Sequence, residues 1–337
     1  MNSALEPARS TPPHEAPRRG QFRATVSANT PLCREHYRLV IRLPWFPPTQ
    51  PGQFIQVSCA DPVEPDPETT TGESEWREGR DLRLEGAELG ARLAFLRRPF
   101  SLAGRRDGTG GVELDLIHRV VGVGTEWLAR LRAGDGVDIL GPLGNRFPLP
   151  SGGETAVLVG GGVGIPPMLY LAEALAGRKA VAFAGAVTHD LLPLTLTGHG
   201  DPFGEPAMTV AEFARYGIPA VTTTDDGSYG FRGFVTQALE RYLDRHHGRR
   251  ASGGSAVVYT CGPEPMMKRV AEIAADSGLE CQVAVERAMA CGMGTCQSCC
   301  IRVRKPDPSQ PPLVGRDWCY RLACTDGPVF RGADLLW

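Results

Sequence analysis

The stretch ETAVLVGGGVGIPPMLYLAEALAG, residues 154 to 177, decides the fold of the second half of this 337-residue chain. An apolar run of strand length leads into a glycine-rich turn, and a helical pattern follows. Pro166 and Pro167 suit the first turn of that helix, where a backbone N–H has no intrahelical acceptor. Glycines between a strand and a helix let the backbone approach a pyrophosphate, which the helix N-terminus attracts. The turn departs from the GxGxxG fingerprint, so a tight turn without a ligand stays open.

The residues that follow repeat the alternation of strand and helix. KAVAFAGAV, PAVTTTDD and SAVVYTCG are short apolar strands, and helical patterns such as GFVTQALERYLDRH separate them. This alternation predicts a doubly wound parallel sheet over residues 151 to 285, covered by helices on both faces. YTCGPEPMM, residues 259 to 267, places a second turn at the carboxyl edge of that sheet, where ligands bind. We therefore expect the thiol of Cys261 to lie close to a bound ring.

The first half of the chain has a different pattern. FRATVSANT, YRLVIRLP and GQFIQVSCA alternate apolar and polar residues between glycines and prolines, and similar segments resume after residue 94. This pattern is typical of short antiparallel strands and predicts a β-barrel over residues 21 to 150. Residues 1 to 20 are rich in proline and charge, which predicts a disordered tail. Residues 61 to 94 are predicted to form a polar insertion loop.

Composition excludes several classes of function. The formal net charge is -2, so no bulk attraction to nucleic acid is expected. Glycines and prolines interrupt the most apolar run, residues 156 to 175, so we expect no membrane span. The first 20 residues lack the apolar core of a signal peptide, which predicts a cytoplasmic location. Ten cysteines in a reducing compartment favour metal ligands and buried thiols over disulfides.

The cysteines concentrate near the C-terminus, in ERAMACGMGTCQSCC, residues 286 to 300, and WCYRLACTDGPVF, residues 318 to 330. Cys291, Cys296 and Cys299 have the C-x4-C-x2-C spacing of plant-type 2Fe-2S clusters, which need a distant fourth cysteine. A zinc site and disulfides are the alternatives, although structural zinc more often joins two CxxC knuckles. Cys319 and Cys324 are the candidates for the fourth ligand. A small cluster domain over residues 286 to 337 is therefore predicted.

A further pattern, RPFS at residues 98 to 101, carries an arginine, an aromatic ring and a hydroxyl on one strand of the predicted barrel. With RRPFS, IHRVVGVGT, GPLGNRFPL, GGGVGIPPM, TDDGSYGFRGFV, CGPEPMMK and the terminal cysteines, the chain resembles, in order, the iron-sulfur electron transfer subunits of class 1B dihydroorotate dehydrogenase. These subunits belong to the ferredoxin reductase superfamily. The resemblance spans residues 21 to 335 apart from the insertion. It implies a multidomain β and α/β protein with an FAD barrel, an NAD domain and a 2Fe-2S domain.

The resemblance also assigns residues to each cofactor. FAD is expected to contact Arg98, Pro99, Phe100, Ser101, Ile117, His118, Arg119, Gly124 and Thr125. NAD is expected over Gly160, Gly161, Gly162 and Gly164 and near Cys261, Gly262 and Pro263. Cys261 and Ser101 are the predicted catalytic residues, since both are expected beside the reacting rings. The cysteine before DGPVF matches Cys324, so the implied cluster ligands are Cys291, Cys296, Cys299 and Cys324.

The function implied by this resemblance is electron conversion in pyrimidine biosynthesis. A separate FMN-containing catalytic subunit oxidises dihydroorotate, and the electrons pass through the cluster and FAD to NAD. The implied assembly is a heterotetramer with two copies of each subunit. Two other hypotheses remain: a related NAD(P)H reductase serving another redox partner, and a non-catalytic redox sensor. No strongly basic cluster stands where a 2′-phosphate would bind, which favours NAD over NADP.

Overall fold

The computed structural model describes residues 19–60, 96–246, 256–304 and 317–337. The predicted insertion at residues 61 to 94 lies outside these ranges, as does nearly all of the predicted disordered tail. Within the ranges, no helix combines the length and the apolar character needed to cross a bilayer.

Six antiparallel strands close the N-terminal barrel in the order β1-β2-β5-β4-β3-β6. Alternate side chains such as Leu39, Ile41 and Leu114 point inward and are fully buried, as the alternating pattern predicts. A short helix, α1, leads from β5 to β6. The elements are β1 (Gly20–Cys33), β2 (His36–Leu43), β3 (Phe54–Val57), β4 (Arg98–Gly108), β5 (Gly111–Arg119), α1 (Val123–Arg130) and β6 (Gly136–Leu143).

A seven-stranded sheet forms the second layer, in the order β10-β9-β8-β7-β11-β12-β15. All neighbours pair in parallel except β12 and β15, which are antiparallel. The elements are β7 (Thr155–Gly161), α2 (Ile165–Ala174), β8 (Ala180–Ala186), α3 (Ala211–Ala214), β9 (Ala220–Thr224), β10 (Phe231–Arg232), α4 (Val235–His246), β11 (Ala256–Cys261), α5 (Glu264–Asp276), β12 (Glu280–Ala284) and β15 (Val329–Arg331).

The C-terminal segment forms a two-stranded antiparallel hairpin of β13 (Cys300–Arg304) and β14 (Trp318–Leu322). It then returns to the large sheet, where β15 adds the edge strand beside β12. Ile301, Val303 and Ala323 are buried in the same hydrophobic cluster as Val283 of β12. The segment is therefore packed onto the preceding layers rather than tethered to them.

The barrel and the large sheet also share a core through α2. The ring of Tyr170 is buried within the barrel's hydrophobic cluster, although the residue belongs to the helix that follows the glycine-rich turn. Its hydroxyl lies 2.8 Å from Thr49 Oγ1 and donates to the Thr49 carbonyl at 2.9 Å. One side chain thus joins the helix that opens the dinucleotide turn to the barrel.

Replacing Tyr170 by phenylalanine tests this junction. The Y170F variant keeps the buried ring and removes the hydroxyl, so we expect a loss of about 1 kcal/mol in the free energy of unfolding. Urea unfolding followed by circular dichroism measures the loss. Tyr320→Phe, at a position that is 62% exposed, is the matched control and should change stability by less than about 0.5 kcal/mol. Equal stability of the two variants would contradict the assigned contact.

Candidate functional site

The first cavity lies between the barrel, the glycine-rich turn and the start of the C-terminal segment, and its volume is about 770 Å³. All of the residues predicted to contact FAD line it. They come from the end of β5, the start of β4 and the N-terminus of α1. They are Arg98, Pro99, Phe100, Ser101, Ile117, His118, Arg119, Gly124 and Thr125.

The wall formed by α1 is shaped by Thr125. Its Oγ1 accepts hydrogen bonds from the N–H groups of Val121 and Gly122, at 2.9 and 3.2 Å, and donates to the Gly122 carbonyl. These bonds fix the turn so that Gly122 and Gly124 face the cavity at a helix N-terminus. Such a terminus offers unpaired N–H groups and positive potential to an anion.

His118 gives an independent sign that this cavity takes a ligand. The side chain is 2% exposed, and neither ring nitrogen has a hydrogen-bond partner. Buried polar groups are normally paired, so two unpaired nitrogens at a cavity wall fit an absent polar ligand. Burial, together with the nearby His36, lowers the pKa of His118 to about 4, so the imidazole is neutral at physiological pH. Phe100 lies edge-on to it, with ring centroids 6.2 Å apart.

A second cavity of about 510 Å³ lies beside the first, at the carboxyl edge of the parallel strands. Gly161, Gly162 and Pro263, all predicted to contact NAD, line it. Val163 and Arg119 border both cavities, so the two spaces adjoin. Ligands in the two cavities can therefore meet where the cavities adjoin, beside Val163 and Arg119.

The remaining residues predicted for NAD lie elsewhere. Gly164 and Cys261 line the first cavity rather than the second. Gly160 and Gly262 are buried and line neither cavity. Gly164 packs so closely on β11 that an added Cβ would lie 2.0 Å from the Cys261 carbonyl oxygen. These glycines bring the two turns together, whereas Gly161 and Gly162 open onto the space itself.

Cys261 is buried at the end of β11. Burial, followed by the negative charge of Glu286, raises the pKa of its thiol to about 12. The group is therefore an uncharged thiol at neutral pH. Ser101 borders the same cavity, so the structure brings both predicted catalytic residues to one space.

The four predicted cluster ligands lie in two neighbouring segments as two pairs. The Cys296 N–H donates to Cys291 Sγ at 3.4 Å, and the side chains of Cys299 and Cys324 hydrogen-bond to each other. All ten cysteines are free thiols. Two pairs of thiols suit the two irons of a 2Fe-2S cluster, which take four cysteines in all. Among the described residues, no three histidine, cysteine or acidic side chains already surround a single metal position.

The loop around Cys291 has the conformation that a cluster requires. Gly292 and Gly294 have φ angles of 69° and 88°, a region that favours glycine. The Met293 N–H, like that of Cys296, points to Cys291 Sγ at 3.4 Å. Hydrogen bonds from Ser298 lower the pKa of Cys296 to about 6, which favours the thiolate that metals bind. The donor set and the backbone both fit an iron-sulfur cluster.

Two other cysteines in this region stand apart. Cys300 is exposed on β13, opposite Leu322, and Cys319 lies on β14, opposite Val303. Neither takes part in the two pairs described above. Cys324 is 2% exposed and is the downstream cysteine that contacts Cys299. The geometry therefore favours Cys324 over Cys319 as the fourth ligand.

Comparison with known proteins agrees with this arrangement. The family described as "Iron-sulfur cluster binding domain of dihydroorotate dehydrogenase B" matches residues 286–336. A protein of Shouchella clausii is 34% identical over 323 residues, covering 95% of this chain and 99% of its own length. One from Bacillus caldolyticus is 33% identical over 324 residues, covering 94% and 99%. Both are named "Dihydroorotate dehydrogenase B (NAD(+)), electron transfer subunit".

The chain belongs to the family of dihydroorotate dehydrogenase B electron transfer subunits. A solved structure of an NADH-dependent reduced ferredoxin-NADP oxidoreductase is also similar, with a TM-score of 0.63 and 26% identity. That match covers 93% of this chain and 90% of the other. The similarity extends over the barrel, the large sheet and the C-terminal segment, as the predicted fold class requires.

Three residues at these cavities were missed by the sequence analysis. Glu286 lines the first cavity, and partial burial raises the pKa of its carboxyl. Its signal was its position two residues after β12, at the carboxyl edge of the sheet. Met289 and Pro328 line the same cavity from the two cluster segments. No local pattern marked these two residues, because their role depends on how the segments pack.

Serine substitutions test the assignment of the fourth ligand. We expect Cys324→Ser to lose most of its iron after anaerobic purification, since an alcohol is a much weaker iron ligand than a thiolate. Cys319→Ser, the matched control five residues earlier, should retain iron and the visible spectrum of the unaltered chain. Iron and sulfide assays with visible spectroscopy make the measurement. Iron loss from Cys319→Ser alone would assign the ligand to Cys319 instead.

Proposed function

We propose that this chain is the electron transfer subunit of an NAD-dependent dihydroorotate dehydrogenase. It passes electrons from an FMN-containing catalytic subunit, through a 2Fe-2S cluster and FAD, to NAD. The observation that carries the proposal is the adjacency of three sites. The two cavities share Val163 and Arg119, and Met289 in the first cavity is two residues from Cys291. The relatives from Shouchella clausii and Bacillus caldolyticus are named as electron transfer subunits of this enzyme, which supports the proposal.

The overall reaction balances as dihydroorotate plus NAD⁺ giving orotate, NADH and one proton. When bound, the cluster exchanges single electrons, NAD exchanges a hydride, and FAD exchanges either, so the flavin connects the two regimes. We assign the binding of dihydroorotate to the catalytic subunit and not to this chain. Its catalytic contribution is electron transfer and the reduction of NAD.

The FAD-binding role falls to the first cavity. Arg98 and the N-terminus of α1 offer positive charge and N–H groups to a pyrophosphate, while Phe100 offers a ring face to the isoalloxazine. The neutral imidazole of His118 supplies one N–H donor and one acceptor for the polar edge of the bound flavin.

The NAD-binding role is assigned to the second cavity, with Gly161 and Gly162 beneath the pyrophosphate. Cys261 and Ser101 are proposed to flank the reacting rings where the cavities meet. The raised pKa of Cys261 keeps a proton on its sulfur, so the thiol adds no negative charge beside the hydride donor. The Ser101 hydroxyl remains free to hydrogen-bond to a ring heteroatom.

The preference for NAD over NADP follows from the charges at the second cavity. Both arginines among its described lining residues are already ion-paired, Arg119 with Glu35 at 2.8 Å and Arg269 with Glu240 at 3.0 Å. A 2′-phosphate needs an available cation, whereas a ribose hydroxyl does not.

The proposal extends to domains, assembly and location. Residues 21–150 are assigned to FAD, 151–285 to NAD and 286–337 to the cluster, and two copies of this chain would join two catalytic subunits. A cytoplasmic location is supported by the ten free cysteines, because a reducing compartment keeps thiols unpaired.

Anaerobic titration of the purified chain with NADH tests the proposed function. We expect roughly two irons and one FAD per chain, with both the flavin and the cluster bleached by NADH. When the catalytic subunit and dihydroorotate are added, orotate should form only in the presence of NAD. Zinc in place of iron, or no flavin in a folded chain, would contradict the proposal. Bleaching by NADH without orotate formation would assign the chain to another redox partner.

A further inference from the structure

The segment GPLGNRFPL, residues 141 to 149, covers the end of β6, the last strand of the barrel, and the residues that follow it. None of its residues lines either cavity. Asn145 within it is bonded to the segment that follows Cys324. Its Nδ2 donates to the carbonyls of Asp326 and Val329 at 2.9 and 2.8 Å, and its Oδ1 accepts the Val329 N–H at 2.9 Å. Its own N–H donates to the Gly327 carbonyl at 2.6 Å. One barrel residue therefore makes four hydrogen bonds to this segment.

The neighbouring Gly144 allows this approach. An added Cβ there would lie 2.5 Å from Pro328 Cδ and 2.9 Å from the Gly327 oxygen, and the glycine has a φ of 77°. Pro328 in turn lines the first cavity. The loop that carries Cys324 is thus pressed against the barrel at the point where it borders the flavin cavity.

A second barrel amide, Gln56 on β3, lies beneath the other cluster segment. It is fully buried, and its Nε2 lies 3.4 Å and 3.5 Å from the carbonyls of Met289 and Ala290. An added Cβ at Gly292 would lie 2.5 Å from Gln56 Oε1, so the loop around Cys291 packs directly on this amide. Cross-strand pairing places Gln56 opposite Pro99, which lines the flavin cavity.

From these contacts we infer that Asn145 and Gln56 are positioning residues that fix the cluster-bearing segments relative to the flavin cavity. The inference rests on the proposed function, which places a cluster and FAD at these sites. Neither amide touches a reacting group. Each acts through backbone, Asn145 on the loop after Cys324 and Gln56 on the residues before Cys291. The barrel, together with the large sheet, then sets the distance that each electron crosses between cluster and flavin.

The variants Asn145→Asp and Gln56→Glu test the inference. Each keeps the side-chain volume but replaces the donating NH₂ group with an oxygen, which cannot donate to the backbone carbonyls that it faces. In the anaerobically purified holo chain, stopped-flow absorbance follows flavin reduction by NADH. Freeze-quench electron paramagnetic resonance follows the cluster. We expect flavin reduction within about twofold of the unaltered rate and cluster reduction slower by roughly tenfold to a hundredfold, as small misplacements cause. The resonance signal of the reduced cluster should also change.

Asn29→Asp is the matched control. Asn29 is another barrel amide, whose Nδ2 donates to Leu128 and Leu131 carbonyls at 2.9 and 3.0 Å, away from the cluster segments. Two results would overturn the inference. One is cluster reduction at the unaltered rate in both Asn145→Asp and Gln56→Glu, and the other is cluster reduction slowed as much in Asn29→Asp as in those two variants. Failure of NADH to reduce the cluster in the unaltered chain would instead contradict the proposed function.

Hydrogen exchange gives a readout that needs no electron transfer. Asn145→Asp should raise amide exchange in residues 324 to 329, and Gln56→Glu in residues 289 to 294, with residues 98 to 125 unchanged. Release of iron to a chelator should be faster in both variants and unaltered in Asn29→Asp. Unchanged exchange in both segments would overturn the inference even if a variant binds less iron.

Discussion

The site depends on the close approach of two turns at the carboxyl edge of the parallel sheet. Gly164 follows β7 and lies so near the end of β11 that a single methyl group would collide with the Cys261 carbonyl. Because β7 and β11 are hydrogen-bonded neighbours, their turns emerge side by side. This packing places Cys261 in the first cavity and leaves Gly161 and Gly162 on the second. The two adjoining cavities follow from this one tight backbone contact.

The C-terminal segment completes the site by packing against both earlier layers. Its β15 strand pairs with β12, and the Val285 N–H donates to the Pro328 carbonyl at 2.9 Å. The barrel holds the same region through Asn145. The cluster cysteines are consequently attached to the sheet on one side and to the barrel on the other. A short segment with little core of its own gains a defined position in this way.

Much of this architecture could be predicted from sequence because its signals are local. Alternating apolar residues indicated the barrel, a glycine-rich turn between strand and helix indicated the dinucleotide site, and the spacing of Cys291, Cys296 and Cys299 indicated the cluster. The fourth ligand was harder, since Cys319 and Cys324 both satisfy the sequence pattern. The contact of Cys324 with Cys299 favours Cys324, and that contact depends on how the hairpin folds back.

Long-range packing accounts for what the sequence analysis missed. Gln56 and Met289 are 233 positions apart, so no local pattern relates them. Glu286 and Pro328 likewise reach the first cavity because β12 and β15 pair at the edge of the sheet. Gly160 and Gly262 belong to recognisable turn motifs, but they pack against Ile165 and Met266 respectively and do not line either cavity.

The most direct test of the account is an anomalous diffraction map at the iron edge, from crystals of the anaerobically purified chain. We expect two iron peaks among the sulfurs of Cys291, Cys296, Cys299 and Cys324. We also expect flavin density in the first cavity, with the isoalloxazine against Phe100. A single metal peak, iron bound through Cys319, or a flavin outside that cavity would contradict it.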